Sequence, residues 1–118
     1  MMGRKRVLVV DDEMLVAMML EDMLTDMDYD VVGPASTLDQ AFKLASTEAL
    51  DGAILDLNLG HGEVSTPVAE KLRERGVPFL LATGYGAGEQ TDALGHSGLL
   101  AKPFAMSDVE TALKSILD

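Results

Sequence analysis

Residues suited to phosphate or metal chemistry follow four of the apolar runs in this 118-residue chain. They are Asp11 with Asp12, Asp56, Thr83 and Lys102. The short apolar run before Asp56 is typical of a buried parallel strand that ends in a carboxylate. In open parallel sheets, ligands bind outside the carboxyl ends of the strands. We therefore expect these side chains to meet at one edge of a sheet.

The acidic members of this set need a positive partner. Two carboxylates about 4 Å apart repel by roughly 4 kcal/mol at an effective dielectric near 20, and one lysine cannot offset three of them. A cluster of Asp11, Asp12 and Asp56 therefore predicts a divalent cation. Oxygen ligands with room left for phosphate and water favour Mg²⁺.

With a cation present, Asp56 is a candidate nucleophile. Aspartate attacks phosphorus in aspartyl-phosphate chemistry, which needs mainly positioning and positive charge on the transferred oxygens. Mg²⁺ and Lys102 would supply that charge, and the Thr83 hydroxyl would donate a hydrogen bond to a phosphate oxygen. Any one of these residues alone is better interpreted as a solvated strand end, so the prediction depends on the combination.

The elements that must position these residues alternate between strand and helix five times, without an internal repeat. This pattern predicts an α/β fold with a parallel sheet, in a single domain over residues 1–118. The predicted strands cover residues 6–10, 30–32, 52–55, 77–82 and 99–101. The predicted helices cover residues 13–28, 37–48 and 66–75, a short segment at 89–94, and a last helix that follows Ser107.

Helix starts are predicted from caps. Thr37 and Gln40 have capping-box spacing, and so do Ser107 and Glu110. Thr66 before a proline suits an N-cap. The side chains that we expect to face the sheet recur at helical spacing. They are Val16, Met19, Leu20, Met23 and Met27 in the first helix, Leu38, Ala41, Phe42 and Ala45 in the second, and Val109, Leu113, Ile116 and Leu117 in the last. The Met-rich stripe of the first helix is also compatible with an adaptable binding face, but we expect core packing.

The net charge of the chain limits the classes of binding partner that we expect. Nine Lys and Arg residues against 20 Asp and Glu residues give a formal net charge of -11. This charge disfavours nucleic acid and anionic membranes, and leaves basic proteins and metal cations. With no Cys and no long apolar run, we expect a cytoplasmic protein. We also expect a monomer or a weak dimer.

This ordered set of residues resembles the receiver domain of two-component response regulators over essentially the whole chain. The resemblance implies a flavodoxin-like fold, with five parallel strands in the order 2-1-3-4-5 and five helices on both faces. It also implies roles for individual residues: Mg²⁺ ligands Asp11, Asp12, Asp56 and the Asn58 carbonyl, phosphoacceptor Asp56, switch hydroxyl Thr83 and phosphate-binding Lys102.

Residues 78–85 further resemble the Pro-Phe-x-Phe-Ala-Thr-Gly-Tyr strand of a mainly alphaproteobacterial group of stand-alone receivers, although Leu81 replaces one Phe. Leu99 stands where typical receivers carry the Tyr or Phe whose rotation reports phosphorylation. Because leucine has no ring to rotate, we expect the Gly-rich segment 84–98 to be the bistable element, with Tyr85 as the aromatic that relocates.

Three classes of function compete. The first is a signalling module, not itself an enzyme, that assists its own phosphorylation and dephosphorylation on Asp56. Its donor would be a histidine kinase or a histidine phosphotransfer protein. Phosphorylation would change the surface around residues 84–104 for a protein partner, or the chain would act as a phosphate sink. The chain would be free-standing or the receiver module of a larger hybrid kinase.

The other two classes are an Asp-nucleophile phosphatase and an inert binding module. The phosphatase is disfavoured because Asn58 stands where its second Asp would act as acid and base. The inert module is disfavoured because every residue that the chemistry needs is present. His61 is expected to be solvated rather than bound to phosphate. The glycines at 84, 86 and 88 fit a flexible hinge better than a phosphate loop.

Overall fold

The computed structural model describes residues 4–56, 59, 64–83, 98–101 and 105–117. Five strands form one parallel sheet in the order β2-β1-β3-β4-β5, so the predicted order is confirmed. The strands are β1 (Arg6–Val10), β2 (Asp30–Ala35), β3 (Gly52–Asp56), β4 (Phe79–Thr83) and β5 (Gly98–Ala101).

Helices cover both faces of this sheet. The described helices are α1 (Met14–Asp26), α2 (Leu38–Thr47), α3 (Thr66–Glu74) and α4 (Met106–Leu117). One hydrophobic core lies between the sheet and the pair α2 and α3, and the other lies between the sheet and the pair α1 and α4. The short helix predicted at 89–94 lies outside the described residues. Within the described ranges, no helix is both long enough and apolar enough to span a lipid bilayer.

The central strand β3 is buried along its whole length. Ala53 and Leu55 point into the core under α2 and α3, while Ile54 points into the core under α1 and α4. Because both faces of a parallel sheet are covered by helices, such a strand has apolar residues at consecutive positions rather than at alternating ones. This burial explains the continuous apolar run that precedes Asp56.

Strand β2 extends further than predicted, because it does not close at Gly33-Pro34 but continues to Ala35. The strand lies at the edge of the sheet, where a proline without an N–H group is tolerated. Gly33 adopts φ of +94°, and a Cβ there would lie 2.7 Å from the backbone nitrogen of Ala35. The register between β1 and β2 shifts at this point.

Two of the predicted caps have different outcomes. Thr37 caps α2 as predicted, and its hydroxyl accepts a hydrogen bond of 3.2 Å from the Gln40 N–H. The prediction that Ser107 caps the last helix is wrong, because Ser107 lies inside α4. The helix instead follows Ala105, whose N–H donates to Asp108 Oδ2 over 2.8 Å.

Two further boundaries differ by one or two residues. Ser65 precedes α3, so Thr66 is the first helical residue rather than the N-cap. Pro67 lies in the first turn, where its missing N–H group costs nothing. Strand β4 begins at Phe79 rather than at residue 77, and it includes Thr83.

The predicted core faces are confirmed with two exceptions. Met19 and Phe42 were expected to face the sheet, but both side chains are substantially exposed. In α1, the fully buried line consists of Ala17, Leu20 and Leu24. Met19 lies about 100° around the helix from Leu20, because each helical residue turns by that angle. In α4, the four predicted residues pack against the sheet.

Candidate functional site

Three carboxylates meet at the carboxyl edge of the sheet, as the sequence predicted. Val10 pairs with Leu55, so the residues that follow them, Asp11 and Asp56, lie side by side at the ends of β1 and β3. Carboxylate oxygens of Asp11, Asp12 and Asp56 all lie within 4.8 Å of one another. Asp11 and Asp56 are buried, whereas Asp12 is exposed.

Backbone contacts hold Asp11 in this position. Its N–H donates to the carbonyl oxygen of Ala35 over 3.0 Å, which extends the pairing of β1 with β2. Its side-chain Oδ1 accepts from the Glu13 N–H over 2.9 Å and turns the chain into α1. The N-terminus of α1 therefore lies next to the carboxylates, where the positive end of the helix dipole offsets part of their charge.

The surrounding sequence adds more negative charge. Residues 7–42 contain nine Asp and Glu residues and no Lys or Arg. Each pair of ionised carboxylates at the observed spacing costs roughly 3 to 4 kcal/mol at an effective dielectric near 20. A helix dipole offsets about 1 kcal/mol of this cost. The cluster is therefore a candidate site for a cation.

The geometry of the cluster fits a magnesium ion. Ligand oxygens lie about 2.1 Å from Mg²⁺, so two direct ligands on opposite sides are about 4.2 Å apart. The limit of 4.8 Å between the carboxylate oxygens is close to that distance. This spacing is compatible with direct binding by two carboxylates and binding of the third through water.

The other residues of the predicted site are described only in part. Asp56 pairs with Ala82, and Thr83 pairs with Ala101, so the backbone of Thr83 lies one residue beyond Asp56 at the same edge. The Thr83 side chain lies outside the description. Asn58, His61, Tyr85 and Lys102 also lie outside the described residues, as does the Gly-rich segment from 84 to 97.

A cleft of about 340 Å³ opens beside the acidic cluster. It is lined by Asp11, Asp12, Met14, Ala17, Met18, Glu21, Pro34 and Ser36. Sequence reasoning missed this α1 wall, because it considered only Met19, Met23 and Met27 and did not assign Met14 or Met18 to any surface. The available signal was the number of apolar residues at the start of the helix, which exceeds what one helix face can bury.

Comparison with known proteins decides the family. The family model for the response regulator receiver domain matches residues 7–114. The chain belongs to this receiver domain family. Receivers of response regulators act in phosphorelay signalling, so the family assignment favours a signalling module over a small-molecule phosphatase.

This receiver is also similar to regulators of known sequence. It is 28% identical to the transcriptional regulatory protein PdtaR of Mycobacterium tuberculosis over 113 residues, covering 93% of this chain and 55% of PdtaR. It is 32% identical to the phyllosphere-induced regulator PhyR of Methylorubrum extorquens over 117 residues, covering 94% of this chain and 43% of PhyR. The receiver therefore spans about half the length of these curated relatives.

Solved structures of other receivers have the same fold. The solution structure of SdrG from Sphingomonas melonis Fr1 matches with a TM-score of 0.85 and 42% identity, and the match covers 100% of both chains. The receiver domain of the sensor histidine kinase PA1611 from Pseudomonas aeruginosa PAO1 matches with a TM-score of 0.86 and 23% identity, covering 98% of each chain. That second structure has a magnesium ion coordinated in its active-site cleft.

Proposed function

We propose that this receiver accepts a phosphoryl group on Asp56 and passes a signal to other proteins through the resulting change. The observation that carries this proposal is the meeting of Asp11, Asp12 and Asp56 at the carboxyl edge of the sheet. Asp56 ends the buried central strand and is itself buried, which supports a role as a fixed nucleophile. Among the described aspartates, Asp56 is the one that ends the central strand.

The same residues are proposed to bind Mg²⁺. Asp12, Asp56 and the backbone carbonyl of Asn58 would be the direct ligands, and Asp11 would act through water. This division agrees with the hydrogen bond that already occupies Oδ1 of Asp11. A divalent cation bound there supplies positive charge to the transferred phosphoryl oxygens.

Thr83 and Lys102 are proposed to act on the phosphorylated state. The added group carries about two negative charges and three acceptor oxygens. The hydroxyl of Thr83 would donate to one of these oxygens, and the ammonium group of Lys102 would pair with another. Because both contacts need the phosphate, we expect Lys102→Ala to weaken the phosphorylated state more than metal binding.

The proposed donor is a phosphohistidine on a histidine kinase or a histidine phosphotransfer protein. The donor must bring its phosphorus to Asp56, and we propose that it approaches over the cleft beside the acidic cluster. The wall of that cleft continues into an exposed apolar patch on α1, formed by Met14, Leu15, Met18 and Met19. We call these four residues the α1 patch.

Charge identifies the chemistry of the surface that would cover the α1 patch. The patch lies within the stretch of residues 7–42, which has nine acidic residues and no Lys or Arg. An apolar donor surface rimmed by basic side chains would complement both its hydrophobic and its electrostatic character. We propose that the donor makes this contact while its phosphohistidine reaches Asp56.

The proposed output is a change in the surface around residues 84–104. The new charge would draw Thr83 and the Gly-rich segment inward, because ordering of a loop around phosphate is a common switching mode. Leu99 pairs with Leu81 in the sheet and has no ring to rotate, so the segment itself would be the moving element. A protein partner would read the change, or the chain would act as a phosphate sink.

We also propose that the chain is a stand-alone receiver of the group whose strand motif residues 78–85 resemble. The 42% identity to SdrG supports membership of this group. The alternative is that the chain is the receiver module of a hybrid kinase. This alternative agrees with PdtaR and PhyR, in which the matched region covers 55% and 43% of the protein.

The test is intact mass spectrometry after incubation with acetyl phosphate and Mg²⁺. We expect the parent chain to gain the mass of one phosphoryl group and Asp56→Asn to gain none. Asp51→Asn is the matched control, because Asp51 immediately precedes the strand that Asp56 ends. An Asp56→Asn variant that gains the phosphoryl mass as fast as the parent would refute the assignment.

A further inference from the structure

Three of the four side chains in the α1 patch are methionines with accessible thioethers. Met14 is 72% exposed, Met18 is 52% exposed and Met19 is 38% exposed. Met14 and Met18 are four residues apart, so they are neighbours on one face of the helix. Met23 and Met27, in the second half of α1 and just after it, instead pack partly buried against the core. Solvent oxidants can therefore reach the sulfur atoms of the patch more easily than those of Met23 and Met27.

The position of these methionines links them to the acidic site. Met14 and Met18 line the same cleft as Asp11 and Asp12. The cleft holds about 340 Å³, and it lies beside the carboxylates that surround Asp56. A protein donor that contacts the α1 patch, as proposed above, would cover the thioethers of this wall.

We propose that Met14, Met18 and Met19 form a redox modification site at which hydroperoxides switch off phosphoryl transfer from a protein donor. This inference rests on the proposed function of Asp56 and of the α1 patch. In the reaction, the lone pair of the methionine sulfur attacks one oxygen of hydrogen peroxide. The O–O bond breaks, the sulfur gains one oxygen atom and loses two electrons, and the second oxygen leaves as water. Methionine sulfoxide reductases reverse the step.

The consequence follows from the polarity of the product. A sulfoxide is polar and accepts hydrogen bonds, so it disrupts methionine-rich contact surfaces. Oxidation of the three methionines would leave Leu15 as the last fully apolar member of the α1 patch. The carboxylates of the acidic cluster are not oxidised by peroxide. A small phosphodonor, which needs no contact with the patch, would therefore still phosphorylate Asp56.

The experiment treats the full chain with hydrogen peroxide and follows each methionine by peptide mass spectrometry. We expect Met14 and Met18 to be oxidised first, and Met23 and Met27 last. Phosphorylation is then measured with acetyl phosphate and with the histidine kinase that phosphorylates the untreated chain fastest in a panel of purified kinases. We expect transfer from the kinase to slow by about tenfold or more, which is 1.4 kcal/mol, and phosphorylation by acetyl phosphate to stay close to its initial rate.

Two controls separate the site from general damage. Repair of the oxidised parent chain with methionine sulfoxide reductases should restore transfer from the kinase without any substitution. A chain carrying Met14→Leu, Met18→Leu and Met19→Leu should transfer at the same rate before and after peroxide. Met106 is the matched control, because it is 39% exposed and opens α4. The Met106→Leu chain should remain as sensitive to peroxide as the parent.

The outcomes that overturn the inference are distinct. Unchanged transfer from the kinase after complete oxidation of the three methionines would refute it. An equal loss with both donors would also refute it, because the oxidation would then act on the fold or on Asp56. If the untreated chain accepts no phosphoryl group on Asp56 from any kinase or from acetyl phosphate, the proposed function itself fails.

Discussion

The two ends of the β-sheet differ in how their charged groups are arranged. At the amino end, two arginines bind carbonyl groups in the last turn of α2 and just after it. Arg75 Nη1 donates to the carbonyl oxygens of Ala45 over 2.6 Å and of Glu48 over 2.8 Å. Arg6 Nε donates to the carbonyl oxygen of Ala49 over 2.7 Å, and its Nη2 forms an ion pair of 2.9 Å with the Glu48 carboxylate. Positive and negative groups are matched there within the chain.

At the carboxyl end, like charges are brought together. Asp11, Asp12 and Asp56 place their carboxylate oxygens within 4.8 Å of one another, and Asp11 and Asp12 lie in the acidic stretch of residues 7–42. The comparison indicates that the amino end of the sheet stabilises the fold, whereas the carboxyl end destabilises it in order to bring the reactive carboxylates together. Functional sites commonly carry such a cost. The predictions below test whether the two ends can be separated in this way.

The largest effect is expected at the exposed carboxylate of the acidic cluster. Asp12→Ala removes a proposed Mg²⁺ ligand. Loss of a residue that only supports a metal ligand typically costs ~10- to 100-fold, so phosphorylation of Asp12→Ala by acetyl phosphate at limiting Mg²⁺ should slow by at least that factor. The rate should recover in part at high Mg²⁺. Asp22→Ala is the matched control, because it removes the same charge from an exposed position on α1. Phosphorylation of Asp12→Ala at the parent rate under limiting Mg²⁺ would contradict the proposed metal site.

The second prediction concerns stability at the acidic end. A ligand at 100 times its dissociation constant stabilises a fold by about 2.7 kcal/mol, so Mg²⁺ should raise the free energy of unfolding of the parent chain by about that amount. In metal-free buffer, Asp56→Asn should be more stable than the parent, because it removes one of three repelling charges. Urea unfolding with EDTA and with Mg²⁺ measures both effects. Equal stabilisation of the parent and of Asp56→Asn by Mg²⁺ would show that Asp56 is not a ligand.

The smallest effect is expected at the amino end. Arg75→Ala removes two hydrogen bonds from a charged donor, so it should lower the free energy of unfolding by about 1.5 kcal/mol. Arg73→Ala is the control, because Arg73 is an exposed arginine in the last turn of α3, which Arg75 follows, and it should change stability by less than about 0.5 kcal/mol. The rate of phosphorylation should be unchanged in both variants. A slower rate in Arg75→Ala at a temperature where the chain is folded would mean that the two ends are coupled.

Strand ends and their chemistry could be predicted from the sequence, because two local signals agree there. The buried apolar runs mark the strands, and the polar residue that follows each run marks the edge at which ligands bind. These signals predict that Asp11 and Asp56 lie at the carboxyl edge of the sheet. Thr37 was predicted for a similar reason, since its capping contact with Gln40 spans only three residues.

The rotation of the helices could not be predicted with the same accuracy. A shift of one residue turns a helix by about 100°, so a long apolar stretch does not determine which side chains face the sheet. Met19 and Phe42 were assigned to the core for this reason, and both are exposed. The extension of β2 through Pro34 depends on its place at the sheet edge. The position of β2 at the edge is set by the assembly of the whole sheet, so the local sequence around Pro34 does not reveal it.

The most direct test of the central claim identifies the phosphorylated residue itself. Borohydride reduces an aspartyl phosphate to homoserine, so treatment of the chain after incubation with acetyl phosphate and Mg²⁺ marks the acceptor covalently. Peptide mass spectrometry then locates the mark. We predict homoserine at position 56 alone, with no mark in EDTA. Homoserine at position 11 or 12, or equal marking of several aspartates, would contradict the assignment of Asp56 as the phosphoacceptor.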